Sequence, residues 1–149
     1  MKNVHSGVLL QTGVKNRNSR FYPREVFEKE VVEYEKKIAD RRAFGELGHP
    51  DTFDVNLSRI SHKIVSIERK FPKVPRKLKK KMKKSGLWEP SVYVVNYRVL
   101  DTAMGKKASE IIGTLGPSPR GSGSVDQNGV IGDDYKLFAI DLIDKGDKA

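Results

Sequence analysis

The amino-acid sequence predicts one α+β domain built on a largely antiparallel sheet or barrel. Three observations carry this. Segments of strand character and of helical period do not alternate as βαβ units, which argues against a parallel sheet. Ser91 to Leu100 (SVYVVNYRVL) is dominated by β-branched and aromatic residues and is the clearest strand in the chain. At 149 residues the chain can bury one proper core and is short for two, so a single domain spanning 1–149 is expected.

The elements follow in order. Gly7 to Val14 (GVLLQTGV) is an apolar run bounded by glycine and polar residues and reads as a buried strand. After a loop over Lys15 to Tyr22, Pro23 suits the first turn of a helix and Glu25 complements its dipole. Phe27, Val31, Tyr34 and Ile38 then form an apolar stripe, predicting a helix from Pro23 to Ala39. Gly45 to Asp51 (GELGHPD) carries too much glycine and proline for a helix interior and reads as a loop. Val55 to Glu68 alternates apolar and polar residues with one slip of register, predicting a strand or a bent pair of strands.

Thr102 can cap a helix bearing Met104, Ala108, Ile111 and Ile112 and ending at Gly113. Gly116 to Gly123 (GPSPRGSG) reads as a loop, Asn128-Gly129 as a turn, and Tyr135 to Ile143 as the last strand.

The chain has 29 Lys and Arg against 19 Asp and Glu, a formal net charge of +10. Ten of the basic residues lie between Arg69 and Lys84 with no acid among them, so the rest of the chain is balanced at 19 against 19. The segment at about 69–86 therefore reads as a flexible, solvated, lysine-rich insertion. It is also a candidate contact for acidic protein or DNA. Cysteine is absent, which excludes thiolate catalysis and disulfides and fits a reducing compartment. No run approaches the roughly 18 apolar residues of a membrane span, and the amino terminus lacks the apolar stretch of a secretory signal. A cytoplasmic location with no membrane association is expected.

Three places hold reactive side chains: Gly45 to Pro50, Gly116 to Gly121, and Asp141 within an apolar strand. A serine nucleophile needs an imidazole to take its proton, a third polar group to fix the tautomer, and N–H donors for the oxyanion. Ser118 is the candidate nucleophile, with the backbone of Arg120 and Gly121 as oxyanion donors. On composition alone GPSPRGSG is more often a linker. Of the three histidines, His5 is near the terminus and His62 shares a strand face with Ile60 and Ile64, the position of a structural histidine. His49 lies in the glycine-rich loop and is a candidate base, although on local evidence a histidine in such a place is more often a surface or turn residue. Glu46 and His49 have a spacing that ligates metal when helical, but the glycines and Pro50 oppose a helix there, so neither metal nor cofactor is expected.

The ordered set Asn16-Arg17-Asn18-Ser19-Arg20-Phe21-Tyr22-Pro23, Gly45-Glu46-Leu47-Gly48-His49-Pro50, Val92-Tyr93 and Gly116-Pro117-Ser118-Pro119-Arg120-Gly121-Ser122-Gly123 resembles the prohead core proteases of T4-like phages. Pro117 and Pro119 stand where that family usually has valine and serine. The resemblance implies an assemblin-like fold, a β-barrel surrounded by helices. It implies a serine endopeptidase with Ser118 as nucleophile, His49 as base and Asp141 as third member. Glu46 and His62 are alternative orienting groups. It further implies scaffold and capsid precursors as substrates, self-cleavage, and action inside the assembling prohead in the host cytoplasm. Two other classes stay open: a basic nucleic-acid-binding module without activity, and an inactive capsid-assembly protein retaining the protease fold.

Overall fold

The computed structural model describes residues 4–84 and 90–148. Its strands are β1 (Val4–Gln11), β2 (Phe44–Glu46), β3 (Ile60–Lys70), β4 (Val92–Val99), β5 (Leu115–Ser122) and β6 (Lys136–Asp144). Its helices are α1 (Arg24–Ala39), α2 (Arg76–Lys84) and α3 (Ala103–Glu110). Four strands form an antiparallel sheet in the order β1-β4-β3-β2, and β5 pairs with β6 in a second antiparallel ladder.

Helix α1 buries the predicted stripe: Phe27, Val31 and Tyr34 are in the core and Ile38 packs against it. Pro23 sits at the N-cap position, where its missing N–H costs nothing. Arg69 at the end of β3 ties the helix down, bonding Glu28 and Glu35 through its guanidinium at 2.8–3.1 Å. Buried Glu30 accepts the Leu137 N–H at 2.9 Å, linking α1 to β6. The register slip expected in the second strand is a bulge between Ile64 and Ser66. Thr102 caps α3 by accepting the Gly105 N–H at 3.0 Å.

Four expectations need correction. First, Gly116 to Gly123 is not a loop: Leu115–Ser122 is β5, paired along its length with β6. Two prolines can occupy a strand when their missing donors face away from its partner. Along β6 the carbonyls of Ile140 and Leu142 are taken by His62 and by the Gly48 N–H. Backbone groups alternate sides, so Ala139 and Asp141 aim theirs at β5. Ser118, opposite Asp141, then bonds β6 while Pro117 and Pro119 face outward.

Second, the hydrogen-bonded ladders do not close into a barrel. β5 packs beside β1, and the backbone of β6 joins the segment after β2 by an isolated parallel bridge between Leu47 and Leu142 in place of a continuous ladder. The outward prolines explain the open seam at β5, since they lack the donors a ladder to another strand requires. Third, Arg76–Lys84 of the basic segment is helical and Arg69 and Lys70 end β3, where a flexible loop was expected. The end of that insertion, Ser85 and Gly86, lies outside the described residues. Similarly, Gly45 and Glu46 belong to the short edge strand β2, and the predicted loop begins only after them.

Candidate active site

The β5–β6 register places Ser118 directly across from Asp141. Residues opposite one another share a sheet face, and so does the diagonal neighbour two positions on, Arg120. One face of a two-stranded ladder thus holds a hydroxyl, a carboxylate and a guanidinium.

His49 comes to this face from the segment that follows β2. Gly45 lets β2 lie tight on β3 and β6, since a Cβ there would fall 2.1 Å from the Ile140 carbonyl and 2.4 Å from His62 Nε2. Gly48 has φ +80°, a left-handed conformation that turns the chain immediately before His49. The imidazole then lies between two partners. His49 Nδ1 is 2.7 Å from Asp141 Oδ2, and His49 Nε2 is 3.0 Å from Ser118 Oγ. Asp141 is fully buried, while the His49 side chain is 35% exposed and Ser118 half-buried, so the series runs from interior to open cleft.

Asp141 is saturated with donors. Oδ1 accepts from the Glu46 N–H at 2.9 Å and Arg120 Nη2 at 2.7 Å, and Oδ2 from His49 Nδ1 and from Arg120 Nε at 2.8 Å. Burial opposes ionisation, but the Arg120 and His49 bonds and the Glu46 N–H outweigh it and hold the carboxyl below its usual range. An ionised Asp141 fixes the proton of His49 on Nδ1 and leaves Nε2 as an acceptor for the Ser118 hydroxyl.

The alternative orienting groups are elsewhere. Glu46 directs its carboxylate at Arg120 Nη2 (3.1 Å), the Asn56 N–H (3.2 Å) and Arg59 Nε (3.5 Å). His62 is fully buried on β3, donating Nε2–H to the Ile140 carbonyl at 2.8 Å and accepting from Ser61 Oγ at 2.7 Å. Burial pushes its pKa down, partly offset by the bond to Ile140, so it is a neutral structural imidazole. Neither group bonds His49. Nor do His49, His62 and Glu46 converge on a metal, and no cluster of three such ligands occurs among the described residues.

The oxyanion assignment to the Arg120 and Gly121 backbone loses its basis with the loop. Arg120 N–H faces Ala139 across the ladder, and Gly121 lies about 10 Å along an extended strand from Ser118. What the sequence reading missed is the Arg120 side chain. It is 5% exposed and makes the bonds to Asp141 and Glu46 just described. The available signal was the chemistry of a buried carboxylate: Asp141 needed cationic partners, and one imidazole could satisfy only one of its oxygens.

A cleft of about 520 Å³ opens over Ser118 and His49, bounded by Val8 to Gln11 at the exposed edge of β1 and by Asn16 to Asn18. Asn16 Oδ1 shapes that rim by accepting the Asn18 and Arg20 N–H groups at 2.9 and 3.0 Å.

A hydroxyl, an imidazole and a buried carboxylate in hydrogen-bonded series, on an antiparallel scaffold beside an open cleft, form the arrangement that serine-hydrolase chemistry requires. The chain belongs to the prohead core protein serine protease family, whose profile matches residues 3–79. Over 51 residues it is 39% identical to the prohead core protein protease of Enterobacteria phage T4, covering 34% of this chain and 24% of that protein. The matched segment is thus about a quarter of that relative's length. The solved structure of the bacteriophage T4 capsid assembly protease superimposes with a TM-score of 0.70 at 25% identity, covering 94% of this chain and 80% of that one. The profile includes His49 and ends before Ser118 and Asp141, whose placement comes from the strand register.

Proposed function

We propose that this chain is a serine endopeptidase that cleaves scaffold and capsid precursor proteins within the assembling phage prohead. The observation that carries the reading is the continuous series Ser118 Oγ, His49 Nε2, His49 Nδ1, Asp141 Oδ2, with separations of 3.0 and 2.7 Å. Ser118 Oγ attacks the scissile carbonyl as its proton passes to His49 Nε2. The imidazolium is stabilised by ionised Asp141 and returns the proton to the leaving amine. Water, activated by the same imidazole, then hydrolyses the acyl-enzyme. The open cleft along the edge of β1 suits an extended polypeptide, which supports cleavage within chains.

The assembled geometry favours this over a disabled protease fold, because the outward-facing prolines flank Ser118 without displacing its hydroxyl from His49. Self-cleavage belongs to the same reading. Ser118→Ala leaves folding intact, since a half-buried hydroxyl supplies little packing, and abolishes cleavage of the cognate scaffold followed by fragment mass spectrometry. Retained turnover in that variant removes the proposal.

A second property, compatible with the first, rests on α2. Between Arg76 and Lys84 every residue except Leu78 and Met82 is basic, and the partner we infer is an acidic polypeptide such as a scaffold segment. DNA binding that survives Ser118→Ala, with no affinity for acidic polypeptide, would favour the nucleic-acid module instead.

A further inference from the structure

We propose that Arg120 is the positioning residue of this site, its guanidinium holding the acid, the imidazole-bearing segment and the nucleophile's strand in one reacting geometry. The inference rests on the proteolytic reading above.

Arg120 touches each segment that builds the site. It lies two residues beyond Ser118 on β5, so any movement of its anchor is transmitted to the nucleophile. Nε and Nη2 grip both oxygens of Asp141 on β6 at 2.8 and 2.7 Å, a two-point contact that fixes the rotation of the carboxylate as well as its place. Nη2 also reaches Glu46 on β2 at 3.1 Å. Nη1 points at the carbonyls of Thr52, Phe53 and Asp54, at 3.3, 3.3 and 3.0 Å, in the segment that continues from His49. That segment is pinned again where the Asn56 N–H meets Glu46, and where Phe53 stacks on Phe138 with ring centroids 4.5 Å apart. His49 is therefore held between Gly48, bonded to Leu142, and a stretch whose carbonyls converge on one guanidinium.

Only arginine carries enough donors in a planar fork for these contacts. Lysine would keep the charge and lose the geometry. A side chain that merely stabilised the domain would lower the amount of folded protein and leave the chemistry of the folded fraction alone. A positioning residue changes that chemistry, and changes its pH dependence through Asp141.

The groups facing Asp141 are Arg120 from β5, His49 from the following segment, Glu46 from β2 with Arg59 beyond it, His62 from β3 and Tyr34 from α1. Removing the Arg120 charge leaves burial to favour the protonated carboxyl, so the acid limb of reactivity moves to higher pH. Removing the Glu46 charge leaves Arg120 more fully committed to Asp141, and the limb moves to lower pH. Loosened packing cannot move the two in opposite directions.

The test measures labelling of the full chain by an alkyl fluorophosphonate as a function of concentration and pH, with circular dichroism to score folding. Arg120→Gln is expected to label about 100-fold more slowly at saturation, the size of effect a misplaced reacting group produces, with little change in half-saturating probe concentration. Its acid limb is displaced upward and that of Glu46→Gln downward. Arg120→Lys is slow while its limb stays in place. Folded Arg120→Gln that labels at the wild-type rate overturns the inference, as do shifts of the same sign in both charge variants. If Arg120→Gln does not fold, wild-type labelling in Arg120→Lys or an unmoved limb in Glu46→Gln overturns it equally. Failure of the folded wild-type chain to label refutes the proteolytic reading itself and this inference with it.

Discussion

Both oxygens of Asp141 are committed, each to two donors, and the residue has no contact with solvent. This makes its substitution costly in two distinct ways. Asp141→Asn removes the charge that orients and stabilises the His49 imidazolium, and kcat is expected to fall on the order of 10⁴-fold. It also leaves Arg120 with Glu46 as its remaining ion-pair partner among the described residues. The loss of stability stays below the roughly 3–5 kcal/mol of a buried pair broken outright, because Glu46 remains, and thermal melting measures it. Glu46→Gln costs less activity, since its carboxylate bonds Arg120, Asn56 and Arg59 and never the imidazole. An equal loss of activity in both variants would contradict this division. At this scale much was legible. The family resemblance singled out Asp141, which lies within bonding distance of His49, and the strand face that His62 shares marked it as a structural histidine. The Arg120 side chain was not legible, because its partners Glu46, Thr52 to Asp54 and Asp141 come from three separate stretches of chain that only the fold brings together.

Among the elements, β3 carries a pH-dependent contribution to stability. Buried His62 has its pKa depressed from 6.5, so the folded state binds fewer protons than the unfolded chain once pH falls below that value. Its stabilisation is full above about pH 6.5 and is lost as pH drops through the folded value. Melting temperature should decline between pH 7 and pH 5, and His62→Gln should melt lower at pH 7 with a flatter slope over that range. A wild-type melting temperature that rises on acidification over this range would contradict the assignment. Helices and strands of strong period were readable from the sequence: the α1 stripe and the β3 register slip both correspond to observed features. GPSPRGSG was not, because local composition cannot reveal that the two missing proline donors face away from the partner strand. The lysine-rich segment misled for the related reason that solvated charge is compatible with either a loop or a short helix. Leu78 and Met82, four residues apart, were the sign of a helix, and Met82 is buried.

For the whole molecule, the basic helix α2 carries seven of the positive charges and leaves the rest of the chain at +3. Arg69 does not belong to the basic surface, since it is locked between Glu28 and Glu35, and deleting the segment from Arg69 would detach α1 from β3. Replacing lysines 80, 81, 83 and 84 with glutamine spares that clamp. Affinity for an acidic polypeptide such as polyglutamate is expected to fall and to lose much of its salt dependence, while fluorophosphonate labelling stays unchanged. Undiminished binding at low salt would leave α2 a solvated helix without a partner. The open seam beside β5 was not legible either, because barrel closure depends on which edge the prolines face. The central claim is that Ser118 is a nucleophile activated by His49. Intact-protein and peptide mass spectrometry after fluorophosphonate treatment tests it directly. The account predicts one adduct, on Ser118, absent from Ser118→Ala and strongly slowed in folded His49→Ala. An adduct on any other serine, or an unmodified wild-type chain that is demonstrably folded, would contradict it.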